Sequence, residues 1–516
     1  MADVLVNPSR APGQDRLSRL PVELLLRITR HLKTAELCKV RLCSRTLERA
    51  LHHYFLHEFF RCKQFMLTDL SLQALLAIAQ HPDISQTLRH VSIGVEEICP
   101  VTHDPPADIG MAMYIMKAVA DQKALLANGR AVQLLATAFS LLPNLETVQL
   151  RDFDSHTRYR EGRRAAWSSY GLWCMREYFG SRGDIVLRKT RDENFCSRVF
   201  SLVVTALAQS KARPPNLEVL MNKSLSALNY LAFDLTPSPR LSLLGGVGGN
   251  GDGVGSGDAN VYALSVLAGL RRLHLKLQCG FHPQGIADFT TSSIPYNARY
   301  TQAQVERLPL RAWLAHCPNL EWFRLNLVEQ ACLFNDTVLK ELDLPLPYYY
   351  SFPPASMASR KIAMPFASNL RRFDLGVACC TANVLLELLG RLTALEHLSL
   401  WHFSLVFQSQ RPQSVWKGFL YALAEHPLGA KLRQLSLTRL GTSTYTEDFP
   451  DMVRTHRVTF NGLKKTEYNA KVEKSMASWL QNTAIGLRSE RHRVDRGYVD
   501  SAANSPTGVF TFLSDV

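Results

Sequence analysis

The sequence lacks the long apolar runs that a membrane protein needs. No segment approaches the roughly 20 uninterrupted apolar residues that span a bilayer. The N-terminus, MADVLVNPSRAPGQDR, has no basic start followed by an apolar stretch, so it carries no secretory signal. By elimination we expect a cytoplasmic or nuclear protein with no membrane partner.

Paired cysteines are lacking too. The 11 cysteines are scattered, and no C-x-x-C pair occurs. An odd count in a chain without a secretory signal favours reduced, mostly buried thiols. Structural zinc needs four Cys or His ligands, usually at short paired spacings. No such set is visible, so we predict no metal site.

Catalytic motifs are also absent. The sequence contains no Walker A motif, no G-x-S-x-G elbow and no H-E-x-x-H motif. Residues 246–251 fit G-x-G-x-x-G, but a dinucleotide site needs that pattern between a strand and a helix. Here it lies inside a glycine-rich stretch, 245–258, which is typical of a flexible linker. We therefore expect a non-catalytic protein with no cofactor.

The chain is basic, with a net charge of +14. Such an excess favours acidic partners, including nucleic acids. No run of five or six Lys or Arg occurs, however, so a generic basic surface is the preferred interpretation. The length of 516 residues predicts two or more structural units.

Leucine-spaced segments recur from about residue 88 onward. They fit or nearly fit L-x-x-Φ-x-Φ, where Φ is apolar, and their anchors are Leu88, Leu145, Leu217, Leu270, Leu320, Leu370, Leu395 and Leu432. Helical patterns precede several of them, at 132–142, 199–209, 310–317, 384–392 and 415–425. This alternation, with anchors 25 or 50 residues apart from Leu270 to Leu395, indicates leucine-rich repeats: a parallel sheet lined by helices.

Three short amphipathic helices are predicted within residues 17–60. Pro21 suits a first helical position. Leu24, Leu25, Ile28 and Leu32 then recur at helical spacing. A second helix is predicted from Thr34, and a third from near Ser44. Because three short helices cannot bury so much apolar surface alone, the rest of the chain or a partner must cover part of it.

The order of residues in these helices resembles the F-box. The pattern L-P-x-E-L-L-x-x-I, then L-x-x-V, then C-S-R-x-L is carried by Leu20, Pro21, Glu23, Leu24, Leu25, Ile28, Leu37, Val40, Cys43, Ser44, Arg45 and Leu47. Leu47 stands where the family commonly has Trp. The resemblance implies that the helices bind a Skp-type adaptor and, through it, a cullin–RING ubiquitin ligase. It also implies that Leu20, Pro21, Val22, Leu25, Leu37, Val40 and Leu47 lie at or beneath that interface.

The fold class expected from these features is α/β. An N-terminal three-helix F-box would be followed by an irregular leucine-rich-repeat-like α/β solenoid. We predict a disordered leader at 1–15, the F-box-like helical domain at 16–62, the repeat domain at 63–487 with its flexible insertion at 245–258, and a disordered polar tail at 488–516. A last helix at about 472–487 would close the array.

Together these features predict a substrate-recognition subunit whose repeats recruit a protein target. The alternative is a basic leucine-rich-repeat scaffold for a protein or nucleic-acid partner, independent of ubiquitin. Because side chains alternate along a strand, residues between the apolar positions should face the concave side. The candidate partner-binding surface there is Arg151, Arg272, His274, Lys276, Trp322, Arg324, Arg372 and Trp401. Its arginines, with two exposed tryptophans, would suit an acidic or phosphorylated segment.

Overall fold

The computed structural model describes residues 17–98, 109–153, 169–172, 195–222, 227–233, 265–277, 309–327, 367–407, 412–444, 454–460, 467–471 and 487–491. Within them the fold is mixed α/β, with helices at the N-terminal end followed by strands and further helices. The predicted leader at 1–15 and the glycine-rich insertion at 245–258 lie outside the described residues.

The three predicted N-terminal helices are confirmed. They are α1 (Val22–Thr29), α2 (Thr34–Cys43) and α3 (Arg45–Phe60). Lys33, rather than Thr34, caps α2, and its backbone N–H donates to the Glu36 carboxylate at 2.8 Å. Ser44 caps α3, because its hydroxyl accepts from the N–H of Thr46 at 3.2 Å.

Nine parallel strands then follow one another across a sheet in chain order. They are β1 (Cys62–Met66), β2 (His90–Gly94), β3 (Thr147–Arg151), β4 (Asn216–Leu220), β5 (Arg272–Leu277), β6 (Trp322–Leu327), β7 (Arg372–Gly376), β9 (His397–Trp401) and β11 (Gln434–Thr438). A tenth strand, β14 (Glu467–Lys471), joins β11 in the antiparallel direction.

Helices pack against the apolar side of this sheet around one large core. They are α4 (Asp69–Gln80), α5 (Pro82–Thr87), α6 (Ile109–Ala127), α7 (Arg130–Ser140), α8 (Phe195–Ser210), α9 (Pro309–Ala315), α10 (Ala382–Arg391), α11 (Pro412–Glu425) and α12 (Pro427–Lys431), with a 3-10 helix at Tyr230–Phe233. The predicted helices at 132–142, 199–209, 310–317, 384–392 and 415–425 are confirmed, with shifts of a few residues at their ends.

The predicted anchor Leu217 is wrong by three residues. It pairs with Val148 and Leu273, which are the first buried apolar positions of their strands, three residues after their own anchors. The tripeptide Pro-Asn-Leu causes the error. It precedes strands at 143–145 and 318–320, whereas at 215–217 its last two residues already belong to β4. The corrected register places Leu217 and Val219 in the core and turns Glu218 to the polar face.

A second sheet was not predicted. It contains β8 (Cys379–Thr381), β10 (Ser404–Phe407) and β12 (Gly441–Thr444), which are parallel, and β13 (Arg454–Phe460) and β15 (Leu487–Arg491), which extend it in the antiparallel direction. Val377, His402 and Arg439 lead from β7, β9 and β11 into it with φ of 52°, 48° and 52°. The first residues of the predicted polar tail therefore belong to a strand, and residues 472–486 lie outside the described part of the chain.

Candidate functional site

A small apolar core holds α1, α2 and α3 together. Its buried members are Leu25, Leu37, Leu47, Leu51 and Phe59. Three of the seven residues predicted to lie at or beneath an adaptor interface, namely Leu25, Leu37 and Leu47, therefore face the interior of the domain. Their structural contribution is to fix the positions of the side chains above them.

The outer side of the same helices carries exposed apolar residues. Leu17, Val22, Leu24, Ile28 and Leu42 form this exposed apolar set, in which Leu42 is 86% exposed and Ile28 45%. Val22 was predicted as an adaptor-binding residue, as was Pro21, which is also exposed, whereas Leu20 and Val40 are half-buried. Leu24, Ile28 and Leu42 were missing from that prediction, although Leu24 and Ile28 belong to the apolar pattern of α1.

Polar contacts tie this helical domain to the sheet. His52 on α3 contacts Glu48 and, on α5, Asp83, each at 3.2 Å. Arg61 alone separates α3 from β1, and its carbonyl accepts backbone N–H bonds from Arg89 and His90 at 3.0 Å. These contacts give the helical domain a defined position on the first two strands.

The opposite face of the main sheet carries one polar row that crosses nine strands in register. Its members are Gln64, Ser92, Gln149, Glu218, His274, Arg324, Asp374, Ser399 and Ser436. The hydroxyl of Ser92 donates to Gln149 Oε1 at 3.0 Å, and Gln149 Nε2 donates to Glu218 Oε2 at 2.6 Å. Side chains of neighbouring strands therefore satisfy one another along the row.

The structure brings most of the predicted partner-binding residues together on this face. Arg151, Arg272, His274, Lys276, Trp322, Arg324 and Arg372 lie on β3 and on β5–β7, and Trp401 lies on β9. They are less exposed than predicted, since His274 is 4% exposed and both tryptophans are half-buried. Long side chains on neighbouring strands cover the shorter ones. The register error hid Glu218, although Asn222 at the last apolar position of that segment already marked a departure from the pattern.

A stack of two arginines on one tryptophan forms the outer layer of this face. The guanidinium carbons of Arg272 and Arg372 lie 4.0 Å and 3.9 Å from the Trp322 ring centroid. The indole Nε1–H donates to Asp374 at 2.9 Å, and Nε–H of Arg372 donates to the same carboxylate at 3.1 Å. The stack therefore holds both guanidinium planes in fixed positions at the surface.

Beneath the stack lies a layer of buried ionisable groups. His274 contacts the Trp322 ring, with centroids 5.1 Å apart, and neither of its ring nitrogens has a hydrogen-bond partner. Burial lowers the pKa of His274 well below its ordinary value, and Arg324, Arg272 and Arg372 lower it further. Burial raises the pKa of Glu218, although Arg272 acts in the opposite direction. The two groups face each other, since His274 Nδ1 lies 3.7 Å from Glu218 Oε1.

A groove of about 820 Å³ lies at the edge where the strands begin. Arg271, Glu321, Arg371, Glu396 and Arg433, each the residue before a strand, contribute to its lining. Arg271 pairs with Glu321 at 3.7 Å, and Arg433 with Glu396 at 3.8 Å. These five charges alternate in sign, and Lys431 adds a further cation to the lining.

Metal-ligand clusters and membrane-spanning helices are both absent from the described residues. There, no group of three or more His, Cys, Asp or Glu is placed to hold a metal ion. No helix in that part of the chain is both long and apolar enough to cross a bilayer.

Comparison with protein families identifies the N-terminal helices. The F-box domain model matches residues 17–57, which are α1, α2 and most of α3. No curated protein matches the chain. The N-terminal helices are therefore those of an F-box domain, a domain that commonly binds Skp-type adaptors.

Proposed function

We propose that the chain is the substrate-recognition subunit of an SCF-type cullin–RING ubiquitin ligase. Its F-box would dock to a Skp-type adaptor and, through it, to a cullin, while the sheet-bearing domain recruits a protein target. The observation that carries the proposal is the exposed apolar set on the helices that match the F-box. Removing apolar surface from water stabilises a complex by about 25 cal/mol per Å².

The recruiting role needs no chemistry from this chain, so we propose that it is not an enzyme. Ubiquitin transfer would gain from holding the target close to the ligase. The contact of His52 with α5 and those of Arg61 with residues at the start of β2 support this role, because they tie the docking helices to the recruiting domain. We place the protein in the cytoplasm or nucleus.

We further propose that the sheet is an irregular leucine-rich-repeat array, and thus a solenoid. Parallel strands in chain order support this assignment, as do the recurring left-handed residues after β7, β9 and β11. One side-chain hydrogen bond also recurs from unit to unit. It is donated at 2.8 Å to a backbone carbonyl of the preceding unit by Asn144, Asn319 and Asn369. Such arrays present extended binding surfaces.

Capture by a purified Skp-type adaptor tests the docking role. Ile28→Asp and Leu42→Asp should each abolish capture, because an apolar interface cannot accept an unpaired carboxylate without a large desolvation cost. Leu70→Asp is the matched control, since Leu70 is 56% exposed on α4, outside the F-box.

The control should retain capture, and all three variants should fold. If the wild-type chain captures no adaptor, or if all three variants bind it equally well, the docking role is wrong. If the chain does not bind the adaptor but binds DNA or RNA with an affinity that falls as salt rises, the scaffold function would be favoured instead.

A further inference from the structure

We propose that the polar face over β4–β7 binds an extended acidic peptide segment. Two carboxylates of that segment, at alternate positions, would meet Arg272 and Arg372 on the two sides of Trp322. The inference rests on the proposed function, because it names the chemistry of the target segment that the sheet would recruit.

The two guanidinium groups have hydrogen-bond donors to offer. Arg372 donates its Nε–H to Asp374, and no described side chain accepts from its two terminal nitrogens. Arg272 Nη1 lies 3.6 Å from Glu218 Oε1, which is an ion pair but too long for a hydrogen bond. The side chains of Arg272 and Arg372 are 30% and 39% exposed. Both can therefore reach a ligand without breaking a short contact.

The Trp322 ring sets the distance between these two groups. Because β5 and β7 flank β6, the two guanidiniums would approach the ring from opposite sides and lie at most roughly 8 Å apart. Alternate side chains of an extended strand are about 7 Å apart, which is a similar distance. A single phosphate is too small to bridge them. The geometry therefore favours two carboxylates, each paired with one guanidinium, on a peptide that crosses the strands.

The stack also lowers the entropic cost of binding. Trp322 is fixed by its hydrogen bond to Asp374, and both arginines are fixed by the ring, so the ligand orders few side chains.

The layer beneath the stack holds a buried polar side chain without a hydrogen bond. His274 is 4% exposed, touches the Trp322 ring and has two ring nitrogens without hydrogen-bond partners. A buried polar group in this state costs free energy unless a ligand or water completes it. Charge agrees, because a chain of net charge +14 attracts an acidic segment from a distance.

Fluorescence anisotropy with a fluorescein-labelled peptide of alternating glutamate and glycine tests the proposal on the full chain. Two comparison peptides have the same length: one carries its glutamates in a single adjacent block, and one carries a single phosphoserine. Arg272→Gln and Arg372→Gln are the test variants. Arg271→Gln and Arg371→Gln are matched controls, since each removes the same charge one residue away, at the groove on the sheet edge.

We expect the alternating peptide to bind most tightly of the three. Each test variant should weaken its binding about tenfold, as expected for loss of a charge-assisted hydrogen bond, and each control less than about twofold. Equal loss in all four variants would mean general charge attraction and would overturn the proposal, as would no binding at all.

The comparison peptides test the spacing argument. Equal binding of the block peptide, or tighter binding of the phosphoserine peptide through the same arginines, would also overturn the proposal. Adaptor capture by Arg272→Gln and Arg372→Gln should stay at the wild-type level. A failure of peptide binding is therefore distinguishable from a failure of the docking role.

Discussion

Alanine substitutions at Leu37 and Leu42 should separate folding of the F-box helices from their docking. Leu37 is 0% exposed and lies at the centre of a core with five buried apolar residues. Truncating a buried leucine to alanine costs about 2–5 kcal/mol. A core of this size supplies only about 3–5 kcal/mol. Leu37→Ala should therefore unfold α1–α3, whereas Leu42→Ala, at an 86% exposed site, should change stability by less than about 0.5 kcal/mol.

Native-state amide hydrogen exchange on the full chain is the assay. In Leu37→Ala, amides of α1–α3 should approach the exchange rates of an unfolded chain, while those of β5 and β6 stay protected. The sheet should be spared because its core is a separate cluster from that of the helices. Leu42→Ala should leave both regions protected and weaken adaptor capture.

Two outcomes would refute this reasoning. One is full protection of α1–α3 in Leu37→Ala, which would mean that the sheet, rather than the small core, holds the helices in place. The other is equally fast exchange in Leu42→Ala, which would mean that Leu42 is not an exposed side chain in solution.

Three further predictions concern the sheet domain. Gly418→Ala should raise the free energy of unfolding by up to about 1 kcal/mol, because a Cβ at this position of α11 meets open space. Gly429→Ala should lower the free energy of unfolding, because its Cβ would overlap the backbone carbonyl of Leu423. Denaturant unfolding that gave both changes the same sign would contradict this prediction. Val377→Asn should raise the melting temperature. The backbone of Val377 is left-handed, with φ of 52°, which costs a β-branched residue about 1–2 kcal/mol and asparagine less. A lower melting temperature would contradict this prediction. Folding lowers the pKa of His274, so below about pH 6.5 the unfolded chain binds a proton that the folded chain excludes. The stability of the wild type relative to His274→Gln should therefore fall as the pH drops below about 6.5. A stability difference that did not change between pH 5 and 8 would contradict this prediction.

Much of the main sheet could be predicted from alternating leucines. Leu320 and Leu370 each stand three residues before the first buried residue of a strand, as the pattern requires. A strand with one face on an apolar core must repeat its buried residues every second position, so the pattern is a physical consequence of burial. Where that pattern is intact, the sequence locates the strand.

The register of β4 could not be predicted in this way. Its Pro-Asn-Leu copies the tripeptide that precedes other strands, and only pairing with Val148 and Leu273 shows that Leu217 lies inside the strand. Pairing is a long-range property, and a shift of three residues moves the opposite side chains to the polar face. Glu218 was missed for this reason alone.

The second sheet gave an even weaker signal. A chain that turns through a left-handed residue usually has glycine there, but Val377, His402 and Arg439 occupy these turns. The strands that follow have three or four residues each, too few for a period to be recognised. Neither the turn nor the strand therefore stands out from the sequence.

Polarity in a strand pattern also proved a poor guide to exposure. Gln149, Glu218 and His274 occupy polar positions, yet all three are buried. Arg272 reaches Glu218 and Trp322 contacts His274, so long side chains of neighbouring strands cover these two residues, which a pattern of single strands cannot express. A ligand on this face would therefore meet guanidinium groups and the edge of an indole before it met any carboxylate. Partner choice would then depend on the outer layer, while the acids beneath hold that layer in place.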